Sequence, residues 1–505
     1  MANSYSSRSF GRSLIHYVGG RLGNAAAAFV IFAWLARYLP EQDYANYIAA
    51  YACLELGLVI FGFGMEWVTA VYIPQTRVKG TPQALARFVW ECALIQAFLL
   101  LLGSLAFALL APVLSDWLGL PSATTVFRAY AGVMFVEGCS RVFRDQLLAC
   151  LLQQGASQIS QSLRNASMLA FALMLPWVPQ WCDAFALSLA ELLASSLSLL
   201  LSIFFLHRCV KRLEPSSSED RQWQRPAWSL MFRAGGNAWL SNLANLSWGG
   251  QVVILLATRL IGAESTAALG FARNLSEQVR RYLPMEFVFG VIRPMLIARF
   301  AEDGNVRSLA LRAGLMYRAN LLFLVPLLVV VGIRGDELCA VLSGGRYGSA
   351  HWLLFGWLSV LIFWAHHRLT DLLAHALHQS AASRRVALPL MLTSLLLCGA
   401  AYYKAWIVLF AMLALAECLY SAIVLRVVGV YRLNRTALFK LFAGALPAAL
   451  LLALPFWPSG VVSLVLQGIA AYAIQFAFVF ILRPWTGEEF ACIPWGSRIF
   501  GEKVR

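Results

Sequence analysis

The sequence predicts an all-α polytopic membrane protein of about 14 transmembrane helices, and three observations predict it. Of 505 residues, 60% are hydrophobic and only 13% are charged, about half the charged share of an ordinary soluble domain. Apolar runs of about 20 residues, the length that crosses a hydrocarbon core, recur from end to end. Pro, Gly or charged residues break the chain between them.

In chain order the spans are expected near 14–38, 44–73, 86–111, 124–152, 160–179 and 183–207, then 230–260, 264–298, 307–333, 349–378, 385–403, 405–428, 437–457 and 460–482. The first run is too long for a signal-peptide core and has no convincing cleavage site, so it reads as the first span. The longest hydrophilic stretch, His207 to Pro226, divides six spans from the remaining eight. The expected organisation is an N-terminal six-helix lobe (1–207), a cytoplasmic inter-lobe loop (208–229), a C-terminal six-helix lobe (230–430), and an extra transmembrane helix pair with a cytoplasmic tail (431–505).

Two patterns support that division. Laying Ala36 onward over Thr258 onward matches Arg37 with Arg259, Ala45 with Ala267, Ala50 with Ala272 and Glu55 with Glu277. Parallel six-span repeats of this kind are a transporter pattern. The cations, allotted to alternate sides, also fall mostly on one. That side takes Arg77, Lys79, Arg141, Arg144, Arg164, Arg208, Lys211 and Arg212, while Arg37, Arg128, Arg259, Arg334, Arg346 and Lys404 fall on the other. Such a bias marks cytoplasmic loops and places both termini in the cytoplasm. It also accounts for the net charge of +15 without a nucleic-acid partner. The ten cysteines are scattered without a CxxC, and Cys53, Cys92, Cys139, Cys398 and Cys418 fall inside spans, as small apolar residues do.

The stretch Phe271 to Phe287 carries the strongest functional signal. Arg273, Glu277 and Arg281 are four apart and share a helix face, with Arg280 beside it. A charge at bilayer depth costs roughly 2.5–3.5 kcal/mol, so this face must line protein or water. It admits two readings: a cationic wall that holds an anionic substrate, or a self-satisfied ladder from Arg273 through Glu277 to Arg281 that locks helices together. Arg280, which that ladder leaves without an obvious acid, favours the wall.

Arg21 in the first span is a candidate for the same wall, or for a packing hydrogen bond near Asn24. Glu55, in the second span, and its repeat mate Glu277 read as counter-charges or coupling groups. Glu66, Glu91, Glu137 and Glu191 also fall within spans. A second cluster sets His367, Asp371, His375 and His378 on one helix face, where they could bind a metal, relay protons or touch substrate. No HExxH, P-loop, GxGxxG or GxSxG is present, so no catalytic residue, metal or cofactor is expected. Gly344 to Gly348 reads as an outer-loop turn.

These residues resemble a known family. Gly-Gly-Arg-Leu-Gly-Asn, from Gly19, and Leu-Ala-Arg-Tyr-Leu-Pro-Glu-Gln-Asp-Tyr-Ala-Asn-Tyr, from Leu35, are similar to the first two helices of Wzx-type polysaccharide and O-antigen flippases. Val-Leu-Ser-Gly-Gly-Arg-Tyr-Gly-Ser-Ala, from Val341, is similar to that family's segment before span ten. The family belongs to the multidrug/oligosaccharidyl-lipid/polysaccharide (MOP) exporter superfamily, and the resemblance covers the first twelve spans. It implies two lobes around a cationic cavity that opens alternately to each side of a bacterial inner membrane. The cargo it implies is an undecaprenyl-pyrophosphate-linked oligosaccharide, with membrane lipids, a polysaccharide polymerase and a co-polymerase as partners. Arg21, Arg273, Arg280 and Arg281 would then bind the pyrophosphate, and the 17 Trp and 16 Tyr would line a path for sugars. Two alternatives stay open: a multidrug exporter of the same superfamily, and a membrane glycan polymerase or ligase. Cationic drugs would prefer an acidic cavity, and the enzyme class carries a larger outer loop than residues 334–348 provide.

Overall fold

The computed structural model describes residues 7–212, 225–286, 305–377, 379–429, 434–455 and 457–485. Most of the inter-lobe loop, the last third of the span expected at 264–298, His378 and most of the C-terminal tail lie outside them. The side chain of His375 lies outside them as well. Among the described residues the secondary structure is helical throughout, with no strand.

The chain divides into two compact units, Met1–Gly270 and Phe271–Arg505. The first contains α1 (Ser7–Tyr38), α2 (Glu41–Ile60), α3 (Met65–Lys79), α4 (Pro82–Leu118), α5 (Thr124–Arg141), α6 (Gln154–Met174), α7 (Ala184–Lys211), α8 (Trp228–Leu246) and α9 (Gly250–Ile261). A π-helical stretch, Val142–Leu148, extends α5. Helix α10 (Ala263–Tyr282) straddles the boundary. The second unit continues with α11 (Val306–Ser343), α12 (His351–Ala376), α13 (Ser380–Leu390), α14 (Thr393–Tyr402), α15 (Trp406–Val428), α16 (Arg435–Ala443), α17 (Leu446–Leu452) and α18 (Val461–Leu482).

Local sequence explains the helix ends. Helix α4 starts at Thr81, whose hydroxyl accepts from the amide of Ala84 at 3.2 Å, with Pro82 at the first position. It ends at Gly119, whose φ of +72° suits a residue without Cβ. Helices α2 and α3 meet at a 52° bend around Phe63 and Gly64, both at positive φ. A Cβ on Gly64 would stand 2.0 Å from the carbonyl oxygen of Gly235, so the two backbones touch where only glycine fits.

Nine helices among the described residues are long and apolar enough to cross a membrane, or 11 if the α2–α3 and α8–α9 pairs each form one broken span. The remaining expected spans fall on α5, α6 and α10, which carry charges or amides on buried positions. Large apolar side chains such as Leu109, Leu193, Ile407 and Ile469 are exposed, a surface suited to lipid. Each unit has its own apolar core. Met65, Phe88, Val89, Leu147 and Met231 cluster in the first, and Leu321, Leu369, Leu373 and Leu441 in the second.

Candidate functional site

Within the second unit, α10 and α12 are joined by charge. The side chains of Arg273 and Arg280 are seven residues apart, two helical turns, and so are Trp357 and Trp364. The Arg273 guanidinium lies 6.0 Å from the Trp357 ring centroid and that of Arg280 lies 4.7 Å from Trp364, both within cation–π range. Glu277 bridges them, its Oε1 at 3.4 Å from Nη2 of Arg273 and its Oε2 at 2.7 Å from Nη2 of Arg280. The expectation that Arg280 lacks an acid is therefore corrected: the i,i+3 spacing from Glu277 closes the pair, and the ladder runs to Arg280 rather than Arg281. Arg281 is exposed and has no ion-pair partner among the described residues.

One carboxylate between two guanidinium groups leaves the cluster with a positive excess. The Arg280 Nε is buried with no hydrogen-bond partner among the described residues. A planar fork with a donor to spare suits a phosphate or carboxylate oxygen.

A second polar cluster joins α12 to α13 and α15. His367 places Nε2 3.3 Å from Oδ2 of Asp371, and its Nδ1 meets Oε2 of Glu417. Asp371 Oδ1 accepts from the Tyr420 hydroxyl at 2.5 Å and the Ser383 hydroxyl at 3.0 Å. The Tyr420 ring stacks on the imidazole with centroids 3.8 Å apart. Sequence reasoning found His367 and Asp371 but not Glu417 or Tyr420, since a lone acid in an apolar helix shows no partner in sequence.

In the first unit, Arg141, Arg144 and Arg164, which the charge bias allots to the cytoplasmic side, enter an ion network between helices. Glu137, 2% exposed, meets Arg141 at 2.9 Å and Arg164 at 3.0 Å, with Arg144 at 3.9 Å. Arg141 clasps Glu55 with two hydrogen bonds of 3.1 and 2.9 Å. Arg164 also meets Glu191 at 3.4 Å, and the Tyr130 hydroxyl donates to Glu191 at 2.7 Å. The spacing of Glu137, Arg141 and Arg144 on one helix face was the available signal. Arg21 is half-buried on α1, while the packing bond expected near it is made by Asn24, which donates to Oε1 of Gln158 at 3.1 Å.

No group of three or more His, Cys, Asp or Glu side chains among the described residues is arranged to hold a metal. The profile of the polysaccharide biosynthesis protein family matches residues 10–295, more than half of the chain. The chain belongs to that family. No curated protein matches it in sequence, but solved structures match its fold. A structure of the lipid II flippase MurJ in an inward-closed conformation covers 93% of this chain and 99% of its own, with a TM-score of 0.67 at 11% identity. An inward-facing multidrug resistance MATE transporter of the MOP superfamily covers 82% of this chain and 98% of its own, with a TM-score of 0.56 at 13% identity. A MOP superfamily transporter from Pyrococcus furiosus, described as having a binding pocket of reverse polarity, covers 83% of this chain and 95% of its own, with a TM-score of 0.54 at 13% identity. This member of the polysaccharide biosynthesis family is thus a multi-pass helical membrane protein with the MOP transporter fold.

Proposed function

We propose that the protein flips an undecaprenyl-pyrophosphate-linked oligosaccharide from the inner to the outer leaflet of a bacterial inner membrane, for O-antigen or exopolysaccharide assembly. The observation that carries this reading is the positive excess on α10, set on a Trp-bearing helix in a chain of the polysaccharide biosynthesis family. A pyrophosphate needs guanidinium forks, and indole faces beside them suit sugar rings. The proposed mechanism is alternating access by six-helix lobes at 1–207 and 230–430, with 208–229 as a cytoplasmic connector and 431–505 as an added helix pair and tail. Arg273, Arg280 and Arg281 are the proposed anion-binding groups of the second unit, and Arg21 that of the first. Glu55 and Glu277 act as counter-charges to arginines. Both termini face the cytoplasm, no enzymatic step is involved, and polymerase and co-polymerase proteins act on the product.

A cationic drug as cargo fits less well, since Glu55, Glu137 and Glu191 are already engaged by arginines. The test is the leaflet and amount of lipid-linked oligosaccharide in cells with and without the chain, read alongside surface glycan. Cytoplasmic accumulation with loss of surface glycan is the expected result. Unpolymerised units on the outer leaflet would instead favour a polymerase or ligase. Unchanged glycan with altered drug tolerance would favour the exporter.

A further inference from the structure

Counting protons around His367 leads beyond the cargo to the energy source. A neutral imidazole has one N–H and one lone pair. Here each ring nitrogen faces a carboxylate oxygen, Nδ1 that of Glu417 and Nε2 that of Asp371. With a neutral ring and both acids ionised, one contact would set lone pair against lone pair, so the cluster holds one proton more than that. Asp371 already accepts at Oδ1 from Tyr420 and Ser383, two donors that favour its ionised form. Among the described residues the only side-chain partner of the Glu417 carboxylate is His367.

Imidazole is the stronger base, and it faces a carboxylate on each side, so the extra proton belongs on the ring, an imidazolium between two carboxylates. His367 and Glu417 are 7% and 8% exposed, so the extra proton is held away from bulk water. The groups around the ring come from every neighbouring helix. Helix α12 itself supplies His366 and Asp371, and α15 supplies Glu417 and Tyr420. Ser383 comes from α13, beside the half-buried Arg384, and Tyr317 of α11 packs edge-on to His366.

We propose that His367, clamped by Glu417 and Asp371, is a proton-binding site whose loading and unloading drives transport, so that the coupling ion is H+. Intramembrane ionisable clusters of this kind are proton relays in pumps and transporters. The site lies on α12, the helix that also carries Trp357 and Trp364 against Arg273 and Arg280. Loss of the proton would leave the buried Glu417 and half-buried Asp371 carboxylates facing a neutral ring, which favours a rearrangement of α12 against α15. That gives the proton a mechanical route to the anion-binding face. As an energy source the proposal rests on the flippase reading; as a proton site it does not.

Two measurements test it on the full chain. In lipid nanodiscs with 15N-labelled histidine, the signal that disappears in His367→Gln is assigned and titrated. The expected result is two protonated nitrogens at neutral pH in the wild type and one in Glu417→Gln. A single protonated nitrogen in the wild type at neutral pH overturns the proposal. In proteoliposomes loaded with undecaprenyl pyrophosphate as the probe, an imposed pH gradient should raise its net transfer several-fold in the wild type. In Glu417→Gln and Glu417→Asp the ratio with and without gradient should fall to about one and recover in part, respectively. A lock of purely structural role would lower transfer in Glu417→Gln while leaving that ratio unchanged, and this outcome overturns the coupling. Absence of probe transfer in the wild type would count against the flippase reading alone, because the nitrogen count is read without transport.

Discussion

Arg280→Ala separates the anion-binding wall from a mere helix lock. In the folded protein the substitution removes a pair with Glu277 at 2.7 Å and a stacking contact with Trp364 at 4.7 Å. The side chain is 32% exposed, so solvent screens the pair and its net worth is at most about 1 kcal/mol. The cation–π contact adds about 0.5–1 kcal/mol. Loss of about 1–2 kcal/mol is small against a typical stability of about 5–15 kcal/mol, so the variant should insert and unfold close to the wild type. A charge-assisted hydrogen bond to the substrate is worth roughly 1.5–3 kcal/mol, or about 10- to 150-fold in binding at 1.4 kcal/mol per decade. Surface glycan should therefore collapse while expression and the melting midpoint in detergent hold. Arg280→Lys should recover only part of the activity, since an ammonium lacks the planar fork. The decisive comparison is Glu277→Gln with Arg280→Ala. If Arg280 serves only to neutralise Glu277, removing both charges restores export, and wild-type glycan in that double variant refutes the anion-binding assignment.

Three further outcomes are expected. Glu137→Ala removes the buried carboxylate that Arg141, Arg144 and Arg164 share; breaking a buried ion pair from one side costs about 3–5 kcal/mol, so yield and melting midpoint should fall sharply. Gly64→Ala should destabilise by more than the roughly 1–2 kcal/mol of a left-handed residue, because its Cβ meets the Gly235 carbonyl, and detergent-solubilised protein should melt several degrees lower. An alkaline phosphatase reporter inserted at Gly345 should be active, and one fused after Arg505 inactive; the reverse pattern would refute the cytoplasmic placement of the C-terminus.

Much of the helical framework was legible because a bilayer demands long apolar segments and leaves few alternatives. The exceptions have a common cause. Helices α5, α6 and α10 spend their polar residues inward, so length and hydropathy describe them poorly while charge spacing describes them well. Arg141, Arg144 and Arg164 lie near span ends in sequence, and only the packing of α5, α6 and α7 shows them paired with Glu137 and Glu191. Partnerships across large sequence separations, Glu55 with Arg141 or His367 with Glu417, leave no trace in a single sequence. The i,i+3 pair of Glu277 and Arg280 was local and readable, but the regular i,i+4 alignment drew attention to Arg281.

The repeat-related glutamates give the two units a telling asymmetry. Glu55 and Glu277, matched in sequence, are each bound by arginine, so an acid at this position is common to both. In the first unit the acids outnumber the cations: Glu55, Glu137, Glu191 and Asp145 face Arg141, Arg144 and Arg164, leaving no positive charge over. In the second, Glu277 is shared between Arg273 and Arg280, and Arg281 stands beside them with no ion-pair partner among the described residues. A network whose cations are all paired with carboxylates holds helices together and has little left with which to bind an anion. An unbalanced one bears a standing desolvation cost that a bound anion relieves. If the α10 cluster were structural in the same sense, a neutralising acid would cost nothing to add, so Arg281→Glu should stabilise the protein and preserve export. On the binding assignment the same substitution should abolish export while stability holds, and the two readings part on that single charge.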